Sequence, residues 1–169
     1  MARTIGSYGP KTMEAIRKAG LRLIFEHGYE AMSLRQLDLA IEGKDDPLEK
    51  LRAFVAFHVT YHMTRKREVF IANSELRSLE PRNYEAIVAL RGAYEQRLAG
   101  ILADGAAKGV FAVADVQVAT FAIIALLTGL CTWYRPGGRL TREAIIEAHE
   151  KLVLSGVMPA SSGASIPVT

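Results

Sequence analysis

Nothing between Asp115 and Arg135 carries a charge. A run that long must keep most of its surface out of water. Residues 116–134 are nearly long enough to span a bilayer. A helix that is apolar all round can equally lie inside protein. Gln117, Thr120, Thr128 and Thr132 interrupt the run, and no other stretch resembles a span. A helix packed in protein is therefore expected, with no membrane partner.

The remaining pattern is helical nearly throughout, so the expected fold is all-α. No Asn-Gly or Asp-Gly hairpin signal sits between alternating strands. Pro10 can open a first helix, whose stripe is Met13, Ile16, Ala19, Leu23 and Ile24, and Gly28 can end it. Ser33 is placed to cap a second helix beginning Leu34-Arg35-Gln36-Leu37. That helix runs into Asp38–Glu42, and a charged turn follows. Asp46-Pro47 marks the next start, of a helix to about Arg67. Further helices are expected over about 68–79, 82–108, 114–134 and 141–154. Glu80-Pro81, Gly109 and Arg135-Pro136-Gly137-Gly138 punctuate them, and Thr141 caps the last. Residues 159–169 read as a disordered tail.

Charge is distributed unevenly. Residues 1–37 hold six Lys/Arg against three Asp/Glu, and residues 38–169 hold fifteen of each. All the excess positive charge lies in the first segment, as a phosphate-binding head on a neutral body would have it. The single cysteine, Cys131, excludes an internal disulfide. It fits a reducing compartment, and without an apolar signal core the chain reads as cytoplasmic.

Gly28-Tyr29-Glu30-Ala31-Met32-Ser33-Leu34-Arg35-Gln36-Leu37 places a basic amphipathic helix, a glycine stop, an aromatic and a Ser-capped helix in sequence. This resembles the opening of the DNA-binding head of the tetracycline-repressor family, with Gly28, Tyr29, Ser33, Leu34 and Leu37 at matching positions. Met32 stands where the family more often has Thr. The resemblance implies a helix-turn-helix head over residues 1–37, and a body over 38–158 that binds an effector and dimerises. Operator DNA would be contacted by Arg3, Lys11, Ser33, Arg35 and Gln36, because a helix N-terminus and cations hold phosphate. The family's glycine turn, recognition helix and following aromatic stretch do not follow Leu37, so the head is incomplete and its base-reading residues cannot be named.

The resemblance also implies that the last two helices form a homodimer. Ala122, Ala125 and Gly129 would allow close approach on one, with Ile145, His149 and Leu152 on the other. The Trp133–Leu140 turn resembles a branch responding to fatty acids or acyl-CoA thioesters. A small apolar effector of that kind is thus a candidate ligand. Its pocket is expected among Phe54, Phe57, His58, Tyr61, His62, Phe70, Asn73, Tyr94, Phe121 and Thr128, where apolar walls meet a few polar groups.

His58 and His62 share a helix face but lack the Glu of the zinc-protease motif, so no metal and no cofactor is expected. Arg65-Lys66-Arg67 could meet a CoA phosphate, though a solvated helix end explains the run more simply. There is no nucleophile elbow or phosphate-cradling loop, which argues against an enzyme. The expected function is a ligand-responsive repressor. The alternative is a helical acyl-binding module without DNA function.

Overall fold

The structure, a computed structural model, describes residues 29–74, 76 and 79–159, with backbone alone at 29–32, 71, 73 and 74. Seven helices make up the described part, with no strand among the described residues: α1 Tyr29–Ile41, α2 Pro47–Thr64, α3 Lys66–Ser74, α4 Pro81–Ala107, α5 Val116–Thr128, α6 Leu130–Trp133 and α7 Arg142–Val157.

The helix starts follow side-chain caps. Asp46 accepts from Leu48 N at 3.0 Å ahead of Pro47. Asp115 accepts from Val118 N at 2.9 Å, and Thr141 from Ala144 N at 3.2 Å. Each satisfies an N–H that the first turn leaves without a helical partner. Gly43 and Gly109 have φ of +72° and +70°, the left-handed geometry that ends α1 and turns the chain after α4.

Two boundaries differ from the sequence-based expectation. The helix expected to reach Arg67 ends at Thr64, whose hydroxyl donates back to Thr60 O and Tyr61 O. Arg65 sits at the break with its guanidinium 5.7 Å from the Tyr61 ring centroid, and Lys66 Nζ donates to Tyr134 O. These two cations therefore hold the α2–α3 corner rather than await a phosphate. The long apolar helix is interrupted at Gly129, and Thr132 Oγ1 donates to Gly129 O at 2.8 Å.

α2 is the central element and packs against every other helix. It can do so because its apolar residues cover most of its circumference, leaving Glu49, Arg52, Thr60 and Thr64 exposed. Leu51, Phe54, Val55 and Val59 are all buried, joined by Leu37 of α1, Leu98 and Leu102 of α4, Leu127 of α5 and Leu130 of α6. Ion pairs bridge the periphery. Arg97 meets both oxygens of Asp38, tying α4 to α1, and Arg52 reaches Glu150 of α7 at 2.9 Å.

After α4 the chain doubles back, and Gly105 O accepts from both Val110 N and Phe111 N. This lays the Phe111 ring on Gly105, where an added Cβ would lie 2.0 Å from Phe111 Cδ2. Overpacking of this kind costs about 1–3 kcal/mol. Gly105→Ala is expected to lower the urea midpoint accordingly, whereas Gly100→Ala, with open space around it, should not.

Candidate effector-binding site

A cavity of about 290 Å³ opens between α1, α2, α3, α4 and α5. Val69 and Ala72 of α3 and Phe121, Ile124 and Ala125 of α5 form its apolar walls. The polar lining is Ser33 of α1, His58 and His62 of α2, Arg91, Tyr94 and Glu95 of α4, and Thr128 of α5.

The α2 histidines organise the polar side. His58 is buried, and both its nitrogens are engaged: Nδ1 with Tyr94 Oη at 2.9 Å and Nε2 with Thr128 Oγ1 at 3.3 Å. One helical turn on, the His62 ring lies 4.0 Å away, centroid to centroid. Its Nδ1 is buried without a hydrogen-bond partner. A buried polar atom left unpaired costs about 1–3 kcal/mol. Among the described residues, no group of three or more His, Cys, Asp or Glu gathers around this pair or elsewhere.

Both imidazoles are held neutral. Burial lowers the pKa of His58 well below its ordinary 6.5, assisted by His62 and His149. Burial, then the Arg91 charge, pushes His62 down to about 4. A histidine whose pKa is lower folded than unfolded contributes stability that is present above the unfolded value and lost as pH falls through the folded one. His62 alone corresponds to roughly 3 kcal/mol lost between pH 6.5 and about 4. Urea denaturation at several pH values should show this loss in the wild type and a smaller one in His62→Phe. Equal acid loss in both would contradict it.

Of the expected pocket residues, His58, His62, Tyr94, Phe121 and Thr128 line the cavity. Phe54, Phe57 and Tyr61 do not: Phe54 is fully buried in the main core, Tyr61 belongs to a smaller cluster with Val69 and Cys131, and Phe57 packs between the two. They lie on other sides of the broad buried face of α2. Phe70 is turned outward, 54% exposed. The Asn73 side chain lies outside the described residues.

Sequence reasoning missed Ser33, Val69, Ala72, Arg91, Glu95, Ile124 and Ala125. Several were within reach of it. Arg91 and Glu95 share a face with Tyr94, as Ile124 and Ala125 do with Phe121 and Thr128.

Ser33 corrects a specific expectation. It does not cap a helix. α1 already runs from Tyr29, and Ser33 is buried within it, facing the cavity. The helix passes without a break through Leu37 and Asp38, joining the residues assigned to the head with those assigned to the body. Arg35 and Gln36 are exposed on α1, and Arg3 and Lys11 lie outside the described residues, as do residues 160–169 of the expected tail.

The expected dimer residues also divide. Ala122, Ala125 and Leu152 are exposed, and Gly129 is partly buried. Ile145 and His149 are buried within the subunit. Ile145 belongs to the main core, while His149 Nδ1 donates to Ile145 O at 2.7 Å and its ring stacks on Trp133. Val116–Trp133 is long and apolar enough to cross a membrane by length and composition, and 28% of it is buried inside the subunit.

A helical body built around one central helix, with a partly polar cavity in its middle, defines a small-molecule-binding module. The profile of the family described as "Tetracyclin repressor-like, C-terminal domain" matches residues 44–157, and the chain belongs to the tetracycline-repressor family of transcriptional regulators. Its members are ligand-responsive DNA-binding repressors and not enzymes.

Among solved structures, the chain is similar to a bacterial regulatory protein of the tetR family from Rhodococcus RHA1. The identity is 24% and the TM-score 0.75, covering 90% of this chain and 77% of that one. It is also similar to the TetR family transcriptional regulator PfmR from Thermus thermophilus, at 31% identity and TM-score 0.68, covering 79% and 74%. A third is AibR in complex with isovaleryl coenzyme A and operator DNA, at 20% identity and TM-score 0.66, covering 78% and 72%. No curated protein sequence matches the chain.

Proposed function

We propose that this chain is a cytoplasmic, homodimeric repressor whose α2–α5 cavity takes a small apolar effector, a fatty acid or an acyl-CoA, and that the effector releases operator DNA. The cavity carries this reading: apolar walls on α3 and α5 face a few polar groups on α2 and α4. AibR, a structure of the same fold, is described with isovaleryl coenzyme A and operator DNA together.

A ligand shifts the protein between states only by binding one of them better. Here Ser33 places α1 in the cavity wall, and the Asp38–Arg97 pair fastens α1 to the helix carrying Tyr94. An effector that spreads α4 from α1 moves the segment leading to the head. The coupling is reciprocal, so operator must weaken effector binding by the same factor, of order 5–150. The experiment is selection of DNA fragments by the purified chain, followed by titration with fatty acids and acyl-CoAs with and without the selected fragment. Equal effector affinity in both settings would contradict the repressor mechanism.

The second reading, an acyl-binding module without DNA function, has one observation in its favour. α1 continues from Tyr29 to Ile41 with no turn or recognition helix between Leu37 and Asp38. In that case selection yields no preferred sequence. Any DNA affinity is then uniform across fragments and falls steeply with salt.

A further inference from the structure

We infer that Thr128 is the hydrogen-bond donor that anchors the effector, giving its hydroxyl proton to the acyl oxygen of an acid or a thioester, and that Tyr94 and His58 leave that proton free for it. The inference rests on the effector reading of the cavity and adds the residue that recognises the head of the ligand.

The bond made by Thr128 is of an unusual kind in this chain. The hydroxyls of Thr64, Thr120, Thr132 and Ser155 donate to a carbonyl three or four residues earlier. Thr128 Oγ1 is instead turned sideways to α2, where it lies 3.3 Å from His58 Nε2. The other nitrogen of that ring meets Tyr94 Oη of α4 at 2.9 Å. Tyr94, His58 and Thr128 thus form one chain of hydrogen bonds across three helices, and all three residues line the cavity.

The protons in this chain can be counted. Burial keeps the His58 ring neutral, and a neutral imidazole has one donor and one acceptor. One hydroxyl therefore donates to the ring, and the other accepts from it and keeps its own proton. The distances sort the two. Bonds from O–H donors are shorter than bonds from N–H donors, and a phenol is a more acidic hydroxyl than an alcohol. The 2.9 Å contact is Tyr94 donating to Nδ1, and the 3.3 Å contact is Nε2–H donating to Thr128. Thr128 receives a proton from His58 without spending its own. His58, with both nitrogens engaged, and Tyr94 act through Thr128 as positioning residues.

The surroundings of Thr128 suit an acyl chain. Phe121, Ile124, Ala125 and Thr128 form one stripe of α5 along the cavity, and the hydroxyl stands at its C-terminal end. From Thr128 to Phe121 the stripe runs about 10 Å, at roughly 1.5 Å per residue. Val69 and Ala72 of α3 add further apolar wall. An oxygen held at Thr128 therefore leaves its tail on apolar surface. Acids and thioesters share this oxygen, so the anchor serves either.

The test is calorimetric titration of the full chain and its variants with three probes. These are hexanoate, the N-acetylcysteamine thioester of hexanoic acid, and S-hexyl-N-acetylcysteamine, a thioether that differs from the thioester only in lacking the acyl oxygen. Thr128→Val keeps the branched shape and removes the hydroxyl. It should weaken binding of acid and thioester roughly tenfold, the worth of one hydrogen bond in a desolvated site, and leave the thioether unchanged. Thr128→Ser should restore both. Whichever of acid and thioester binds the wild type more tightly identifies the source of the oxygen, and the dependence on Thr128 is expected of either. Nitrogen-detected spectra of histidine-labelled protein at neutral pH, with His58 assigned by its loss in His58→Asn, should show Nε2 protonated and Nδ1 bare.

Acid and thioester that bind Thr128→Val as tightly as wild type would overturn the anchor and leave the effector site standing. So would equal weakening of all three probes, which is what a purely structural role for Thr128 predicts. A proton on His58 Nδ1 would mean that Thr128 spends its own on the ring, and would also overturn the assignment. Absence of binding by every probe would overturn the acyl-effector reading together with this inference.

Discussion

Ala122→Glu is expected to convert the protein from dimer to monomer, read by analytical ultracentrifugation as a halved mass. Ala122 is exposed on α5, in line with Val118 one turn before it and Leu126 one turn after. Val118 is 64% exposed, and Leu152 on the neighbouring α7 is 59% exposed. Exposed apolar side chains aligned in this way mark an interface. In a two-fold dimer the same patch meets itself, so one substitution places two carboxylates in the contact. An unpaired buried charge costs about 3–5 kcal/mol, two to three orders of magnitude or more in dissociation constant. Ala122 is exposed in the subunit, so helical circular dichroism should be retained. A variant that remains dimeric would show that the α5 strip is not the interface, and the uncharged run would then need another partner.

Phe54→Ala is expected to lower the free energy of unfolding by about 3–5 kcal/mol, the usual loss for a buried aromatic replaced by alanine. Phe54 is fully buried on the one helix that meets all the others. Its ring lies 5.4 Å from that of Tyr94 and 5.9 Å from that of His58, centroid to centroid. Truncation therefore empties the centre of the core and removes the packing that seats the Tyr94–His58 hydrogen bond. Against a total stability of about 5–15 kcal/mol, a loss of this size is a large fraction. Phe54→Leu, closer in volume, should cost less. A change below about 1 kcal/mol in chemical denaturation of Phe54→Ala would mean that the centre of the body is not packed as described.

The local grammar of the chain was legible without coordinates. Asp46-Pro47 and Thr141 announce helix starts because each cap and its partner lie within three residues of one another. Gly109 announces a turn because few other residues enter its backbone geometry without strain. The all-helical architecture and the membership of the tetracycline-repressor family were readable for the same reason, since both rest on short-range patterns.

The site was only half legible, because facing is settled between helices and not within them. α2 has a broad buried face with only a narrow exposed strip at Glu49, Arg52, Thr60 and Thr64, so its spacing does not separate Phe54, Phe57 and Tyr61, which enter the cores, from His58 and His62, which line the cavity. Ile145 and His149 share an apolar stripe with Leu152, yet the packing of α7 on α2 buries the first two and leaves the third outside. Ser33 shows the same limit at closer range. As one residue before a helical run it has the form of a cap, and the start of α1 at Tyr29 places it inside a helix and in the cavity wall. The sequence by itself determined where helices begin, where they turn, and that one of them must leave water. The tertiary structure alone decided which side of each helix is wall, core or exposed surface, because those assignments depend on contacts between residues distant in the chain.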